Sequence, residues 1–323
     1  MLRASTVVLA AALALTAAGC GGKAHALPQA TGHRPVTIVA RGVPTPTEFA
    51  ALAGRLFVAG YGDEHKPYAA GGVYVLGGGK AIRVPGSPRH VYGVAAAKNA
   101  LYVSTSQALL AWSGWNGTRF QKRRVVRTPD GYGSFRGPVV GTEGLIYVGA
   151  SADPDPRPKP NASNSFVSVD PATGSTRVIA TGIRQAWQPL FLPGHALPLV
   201  SDPNQDDLGP NRPLDYLLAI KRGANYGFPT CPATPNTCAN YSQPLVRFPA
   251  HASPMGLGYL KGKLYVALYV GLGKGPVVVS MPPGGGTPTP FLSGFPAPVI
   301  ALGTAGDNLY VGDQSGVIYR VTP

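Results

Sequence analysis

Apolar and polar residues alternate in short runs along this chain, and Gly, Pro, Asn and Asp break the runs before they reach helical length. Such alternation, bounded by turn formers, predicts β-strands, and no long stretch has the apolar spacing of a helix. Five strands share one pattern: "RLFVAG", "ALYVST", "LIYVGA", "KLYVAL" and "NLYVGD". Their central aromatics are Phe57, Tyr102, Tyr147, Tyr265 and Tyr310, spaced 45, 45, 118 and 45 residues apart. The long interval exceeds two periods by 28 residues and contains a weaker sixth copy, "ALPLVSD", at 196–202.

Each copy follows one plan. An apolar strand with Gly or Pro comes first, then a tight turn such as "AKNA" or "LKGK", then the "LYV" strand. A third strand follows, as in "FVSVD" or "VVVSM", and often a fourth, as in "TRVIAT". A period near 45 with four strands per unit predicts a propeller blade, and six units predict an all-β, six-bladed β-propeller. "LDYLLAI" fits either a short helix or a strand. The last unit ends at "GVIYRVTP" without a fourth strand, and "PVTIVA" at 35–40 precedes the first unit. Pairing these two segments would close the ring and remove a sheet edge.

The N-terminus changes the picture of where the domain works. "MLR" and the apolar "ASTVVLAAALALTAAG" form a signal-like segment too short to span a bilayer comfortably, followed by "AAGC". Small residues before a cysteine resemble a bacterial lipoprotein cleavage box, although Ala17 stands where Leu is commonest. The expectation is a signal peptide over 1–19, lipidation of Cys20 and a tether over 20–34. The propeller then spans 35–323, held outside the cytoplasm on the cell envelope, with plain secretion or a periplasmic location as the alternative. In that oxidising compartment Cys231 and Cys238, in "CPATPNTC", are expected to form a disulfide; the alternative is a zinc half-site, for which no second pair lies nearby.

Composition adds limits. Charged residues are only 13%, and Gly (43) with Pro (34) reads as many turns rather than low complexity. The net charge of +14 is either a solvated basic surface or an affinity for anionic partners. No zinc finger, helix-turn-helix pattern or basic-aromatic repeat points to nucleic acid.

Propellers bind ligands at one mouth of the central channel, where the loops before the innermost strands meet. Those loops bring Arg89, His90, Tyr92, Arg136, Arg184 and His251 to the mouth, and Lys274 in "VGLGKG" reaches the same side. Such a cluster suits a ligand with several carboxylates; the alternative is cations that only solvate the mouth. The segment "DDLGPNRPLDYLLAIKRGANYGFPTC" (206–231) collects acids, glycines and prolines. Asp207 and Asp215 offer carboxylates to a hard cation, though the spacing is not that of an EF-hand, and a plain ordered turn is the alternative.

That segment, with "HASPMGLGYLKGKLYVAL", "IATGIRQAWQPLF" and "DNLYVGDQSGVIYRV", resembles the glucose/sorbosone dehydrogenase family, over roughly residues 130–323. The resemblance implies a six-bladed propeller using pyrroloquinoline quinone and calcium to oxidise sugars. It implies calcium oxygens from the Gly209 and Pro210 carbonyls, the Asp215 carboxylate and the Tyr226 backbone carbonyl. It implies quinone contacts from Arg184 and Lys274, with Arg136 and His251 completing the cofactor set expected at the mouth. The departures concern catalysis. Gly133 and Ser134 stand where the family has its catalytic histidine, Gln185 replaces an asparagine, and "FPAPVIAL" lacks an expected arginine. Two functions follow: quinone-dependent oxidation of an aldose-type sugar or similar hydroxyl substrate, or a catalytically degenerate propeller that binds a carbohydrate or protein partner at the same mouth.

Overall fold

A computed structural model describes residues 27–62, 70–151, 164–231 and 239–323. Two strands open the described chain, β1 (Gln29–Ala30) and β2 (Val36–Ala40). Blade one holds β3 (Pro46–Leu52), β4 (Arg55–Gly62), β5 (Ala70–Gly77) and β6 (Lys80–Arg83). Blade two holds β7 (Gly93–Ala97), β8 (Ala100–Ser104), β9 (Leu109–Trp115) and β10 (Phe120–Arg127). Blade three holds β11 (Ser134–Val140), β12 (Ile146–Ser151), β13 (Ser165–Val169) and β14 (Thr176–Thr181). Blade four holds β15 (Pro189–Leu190), β16 (Leu199–Asp202), β17 (Leu214–Ala219) and β18 (Val246–Ala250). Blade five holds β19 (Pro254–Leu260), β20 (Lys263–Leu268), β21 (Val277–Met281) and β22 (Thr289–Ser293). Blade six holds β23 (Val299–Ala305), β24 (Asn308–Asp313) and β25 (Ile318–Val321), and every neighbouring pair of strands within a sheet is antiparallel.

The six-bladed propeller read from the repeat is the fold. β2 is the fourth strand of blade six, pairing Val36 with Val321 and Ile38 with Tyr319, so the predicted ring closure is present. Gln29 and Ala30, expected in the tether, instead add a fifth strand to the outer edge of blade five. The ambiguous "LDYLLAI" segment is a strand, β17, paired on both sides. The expected signal peptide and Cys20 lie outside the described residues, as does Cys238, the expected partner of Cys231.

The repeated aromatic has a mechanical role. Phe57, Tyr147 and Tyr265 are buried, and each packs into the cleft between its own blade and the next. Tyr102 and Tyr310 pack half-buried in the corresponding clefts. Six separate apolar cores thus lie between neighbouring blades, each aromatic contributing about 1.5–3 kcal/mol of burial. The strands do not all alternate as expected. β12 and β21 are buried at every residue, because both faces of a middle strand meet a neighbouring blade. Alternation survives on outer strands such as β18.

The innermost strands β3, β7, β11, β15, β19 and β23 each touch the next around a closed circle. Two polar side chains fill the axis they enclose. Gln188 Nε2 donates to the Leu257 and Leu302 carbonyls at 3.3 and 3.2 Å, and its Oε1 accepts from the Leu257 amide at 3.0 Å, joining blades four, five and six. Glu48, 4% exposed, accepts from the Val94 amide at 2.9 Å and lies against Gly93 and Gly137. A Cβ on Gly137 would stand 2.7 Å from the Trp187 carbonyl oxygen, so only glycine fits there.

Burial raises the Glu48 carboxyl well above its ordinary 4.5, against the smaller opposing effect of the Val94 amide. The folded state therefore holds this proton more tightly than the unfolded chain. Stability should be greatest below the ordinary value and decline as pH rises through the folded one. Glu48→Gln keeps an acceptor for Val94 and should flatten that decline in urea melts from pH 4 to 8. An unchanged slope would show that Glu48 ionises freely.

Candidate functional site

The inner strands start at one end of the ring, and the loops joining second to third strands of each blade open at the same end. This is the mouth. A row of side chains crosses it from blade one to blade four. The His90 ring lies 5.2 Å from Tyr61, Tyr61 lies 5.0 Å from Tyr92, and the Arg136 guanidinium sits 4.0 Å above Tyr92 and 5.7 Å from Trp187. Strand ends place these residues: Tyr61 lies at the end of β4, Tyr92 bonds back to Ser104 on β8, and Trp187 to Ser201 on β16.

Two features of this row matter chemically. Arg136 is 9% exposed, and its Nε is buried without a hydrogen-bond partner. An unsatisfied buried donor costs about 1–3 kcal/mol, and the two aromatic faces only partly offset it. His90 Nδ1 lies 2.9 Å from the Tyr61 carbonyl oxygen. A carbonyl can only accept, so Nδ1 carries the proton and Nε2 keeps its lone pair in the neutral ring.

The loop between β16 and β17 forms the other side of the mouth. Asp202 and Asp215 are each 2% exposed. Asp215 accepts from the Asn204 amide at 2.6 Å through one oxygen and from the Ser253 amide at 2.7 Å through the other. Burial raises its pKa, chiefly against those two bonds. Asp202 accepts from the Gln185 amide at 2.7 Å and is pushed up to about 7, mainly by burial. Arg184 donates to the Asn204 and Pro203 carbonyls at 2.7 and 3.2 Å. It holds the loop's entry. His251 Nε2 contacts the Gly209 carbonyl at 2.9 Å and Nδ1 contacts Asp206 at 3.4 Å, and its pKa is raised, chiefly by the Gly209 bond.

The expected cofactor residues are therefore divided. Arg136 faces the mouth with capacity to spare, whereas Arg184 and His251 are engaged by the loop. Lys274 is exposed in the loop from β20 to β21, whose Tyr269 amide bonds to Ser253 beside His251. Two of the four expected calcium ligands already have partners in the protein. Asp215 has one amide on each oxygen, the Gly209 carbonyl already receives His251 and Arg212, and Pro210 is exposed. Tyr226 packs in the core between blades three and four, its hydroxyl donating to Ala219 at 2.5 Å. The Asp215 carboxylate and the Gly209 carbonyl are thus engaged by donors of the protein itself.

Sequence reasoning missed Tyr61, Asp202 and Trp187. Trp187 was detectable, since it stands three residues after Arg184 on the path to an inner strand. Tyr61 and Asp202 close "RLFVAGY" and "LVSD", and only blade register turns those strand ends toward the mouth.

Asp215→Ala would leave two buried amides without acceptors and should cost about 2–4 kcal/mol in denaturant melts. The loss should be equal with and without calcium. A loss that appears only when calcium is present would make Asp215 a ligand after all.

No protein-family model matches the chain, and a search of curated proteins finds no match. Solved structures do match. The PQQ-bound form of an aldose sugar dehydrogenase from Streptomyces coelicolor is 18% identical over 91% of this chain and 99% of its own, with a TM-score of 0.67. A Trichoderma reesei member of carbohydrate-active enzyme family AA12 is 17% identical over 92% of this chain and 98% of its own, with a TM-score of 0.74. The apo soluble aldose sugar dehydrogenase of Escherichia coli is 15% identical over 90% of this chain and 99% of its own, with a TM-score of 0.67. At these identities the likeness is one of fold, the same fold that the sequence resemblance implies.

Proposed function

We propose that the mouth binds a planar aromatic cofactor bearing several carboxylates, of the pyrroloquinoline quinone type, and serves the oxidation of an aldose-type sugar or similar hydroxyl substrate. The observation that carries this reading is Arg136. A nine-tenths buried guanidinium with an unpartnered Nε, held between two aromatic rings, is a receptor for a flat anion. The Streptomyces coelicolor dehydrogenase of the same fold, solved with PQQ, supports the choice of cofactor. When bound, such a quinone supplies a hydride acceptor.

The chain's own residues divide the remaining work. Arg136 fixes a carboxylate, and Lys274 adds charge at the rim. Tyr92 and Trp187 offer ring faces against which a flat ligand or a sugar ring can pack. His90 takes the substrate's hydroxyl proton on Nε2 while Tyr61 holds Nδ1–H. This role falls to His90 because Gly133 and Ser134 offer no base and both nitrogens of His251 are engaged. No step is assigned to calcium. The domain works outside the cytoplasm, anchored through lipidated Cys20 and stapled by Cys231–Cys238. Cys20→Ser should move the protein from the membrane fraction to the soluble one; continued sedimentation with membranes would refute the anchor.

Reconstitution with the quinone, followed by dye reduction over a panel of aldoses, tests the chemistry. Arg136→Gln should abolish the quinone-induced rise in Tm. His90→Gln should keep that rise and lose roughly 10²- to 10⁴-fold in kcat. Neither a thermal shift nor turnover in the unaltered protein would end the enzyme reading. The absent histidine at 133–134 favours one second reading, a propeller that binds carbohydrate without oxidising it. A saturable sugar-induced shift with no dye reduction would select it.

A further inference from the structure

One cavity lies far from the mouth, at the opposite end of the ring, in the seam between blades five and six. It holds about 390 Å³ and is lined by Arg34, Lys261, Lys263, Tyr265, Ser280 and Phe291, among others. Three remote segments meet there. Arg34 comes from the crossing between β1 and β2, the lysines flank the β19–β20 turn, and Ser280 lies on β21. No acidic side chain lines the cavity among the described residues, and the one carboxylate there is the terminal group of Pro323, which Lys261 meets.

The donors are only partly used. Arg34 Nη1 donates to the Thr31 carbonyl at 2.8 Å, leaving the rest of the guanidinium open. Lys261 gives one hydrogen to a terminal carboxylate oxygen of Pro323 at 3.1 Å, which offsets its charge. Lys263 has no hydrogen-bond or ion-pair partner among the described residues. The Tyr265 ring is 2% exposed and packs edge-on against Phe291, centroids 5.0 Å apart. Its hydroxyl has no hydrogen-bond partner among the described residues, though it belongs to the aromatic repeated in every "LYV" strand. Arg34 and Lys263 are like charges that repel until an anion enters, and the Tyr265 hydroxyl adds a donor held in place by its packed ring.

We propose that this seam is a phosphoryl-binding site. A phosphoryl group carries one to two negative charges and several strong acceptor oxygens, which matches separated Arg, Lys and phenol donors better than a single flat carboxylate does. The cavity leaves room beside the phosphoryl group for a small polar substituent such as glycerol. That chemistry occurs in a free phosphomonoester and in a phospholipid headgroup. The site is independent of the mouth, and either can fail without the other.

Calorimetry on the full chain with glycerol phosphate and with glycerophosphoglycerol tests the site. At least one should bind saturably, and Arg34→Gln/Lys263→Gln should weaken that binding tenfold or more while Arg136→Gln leaves it unchanged. Tighter binding of the monoester assigns a free ligand, and tighter binding of the diester assigns a lipid headgroup. Tyr265→Phe keeps the packed ring and should weaken binding several-fold. Absence of binding by both compounds overturns the proposal. So does unchanged affinity in the double variant, or loss of the binding in Arg136→Gln.

Discussion

The packed axis is the constraint on which the rest depends. Six inner strands can touch in a circle only if each yields space at the centre. Gly93 and Gly137 yield it to Glu48, and the Gln188 amide then links three blades by hydrogen bonds no single blade could make. A carboxyl in that position must stay neutral or pay heavily for its charge, so the burial that closes the ring also sets a pH dependence. With the axis filled, ligands meet the protein at its ends and in the seams between blades.

This rigidity explains how residues far apart in the chain can act together. Tyr61, His90, Tyr92, Arg136 and Trp187 come from four blades, and each side chain is set by the start or end of a strand whose neighbours fix its register. The opposite wall is built differently. Asp215 there bonds to amides on either side of it, so the loop after β16 and the turn before β19 are one unit. The carboxylate that a sequence comparison marks as a metal ligand is satisfied by backbone donors alone. Motif resemblance identified the loop but not what its atoms do.

The architecture was legible because it repeats. Phe57, Tyr102, Tyr147, Tyr265 and Tyr310 recur since each fills the same cleft toward the next blade, and a packing requirement imposed on every blade leaves a period in the sequence. The ring closure at "PVTIVA" followed from counting strands. The site was legible only in part. Arg136, Arg184 and His251 were found as mouth residues, but which of them remain available depends on partners such as the Asn204 and Gly209 carbonyls, which carry no side-chain signature. Glu48 and Gln188 were invisible for a related reason. A polar residue on an inner strand reads like any strand residue until the facing glycines are placed beside it.

The strong positive charge takes on a different meaning in this light. Many cations are spent on backbone carbonyls: Arg83 on Gly71 and Ser87, Arg123 on Pro85 and Gly86, Arg184 on Pro203 and Asn204. In a chain with 28 basic and only 14 acidic residues, carbonyl oxygens replace carboxylates as the acceptors that pin loops to neighbouring strands. An arginine used this way stays charged yet has few donors left, so net charge alone says little about ligands. The informative cations are those whose donors find no acceptor. Arg136 at the mouth, packed over Tyr92, and Lys263, exposed at the seam, are such residues. A fold that satisfies many of its arginines with its own carbonyls, yet leaves Arg136 and Lys263 without such acceptors, has kept positive charge where an anion can reach it.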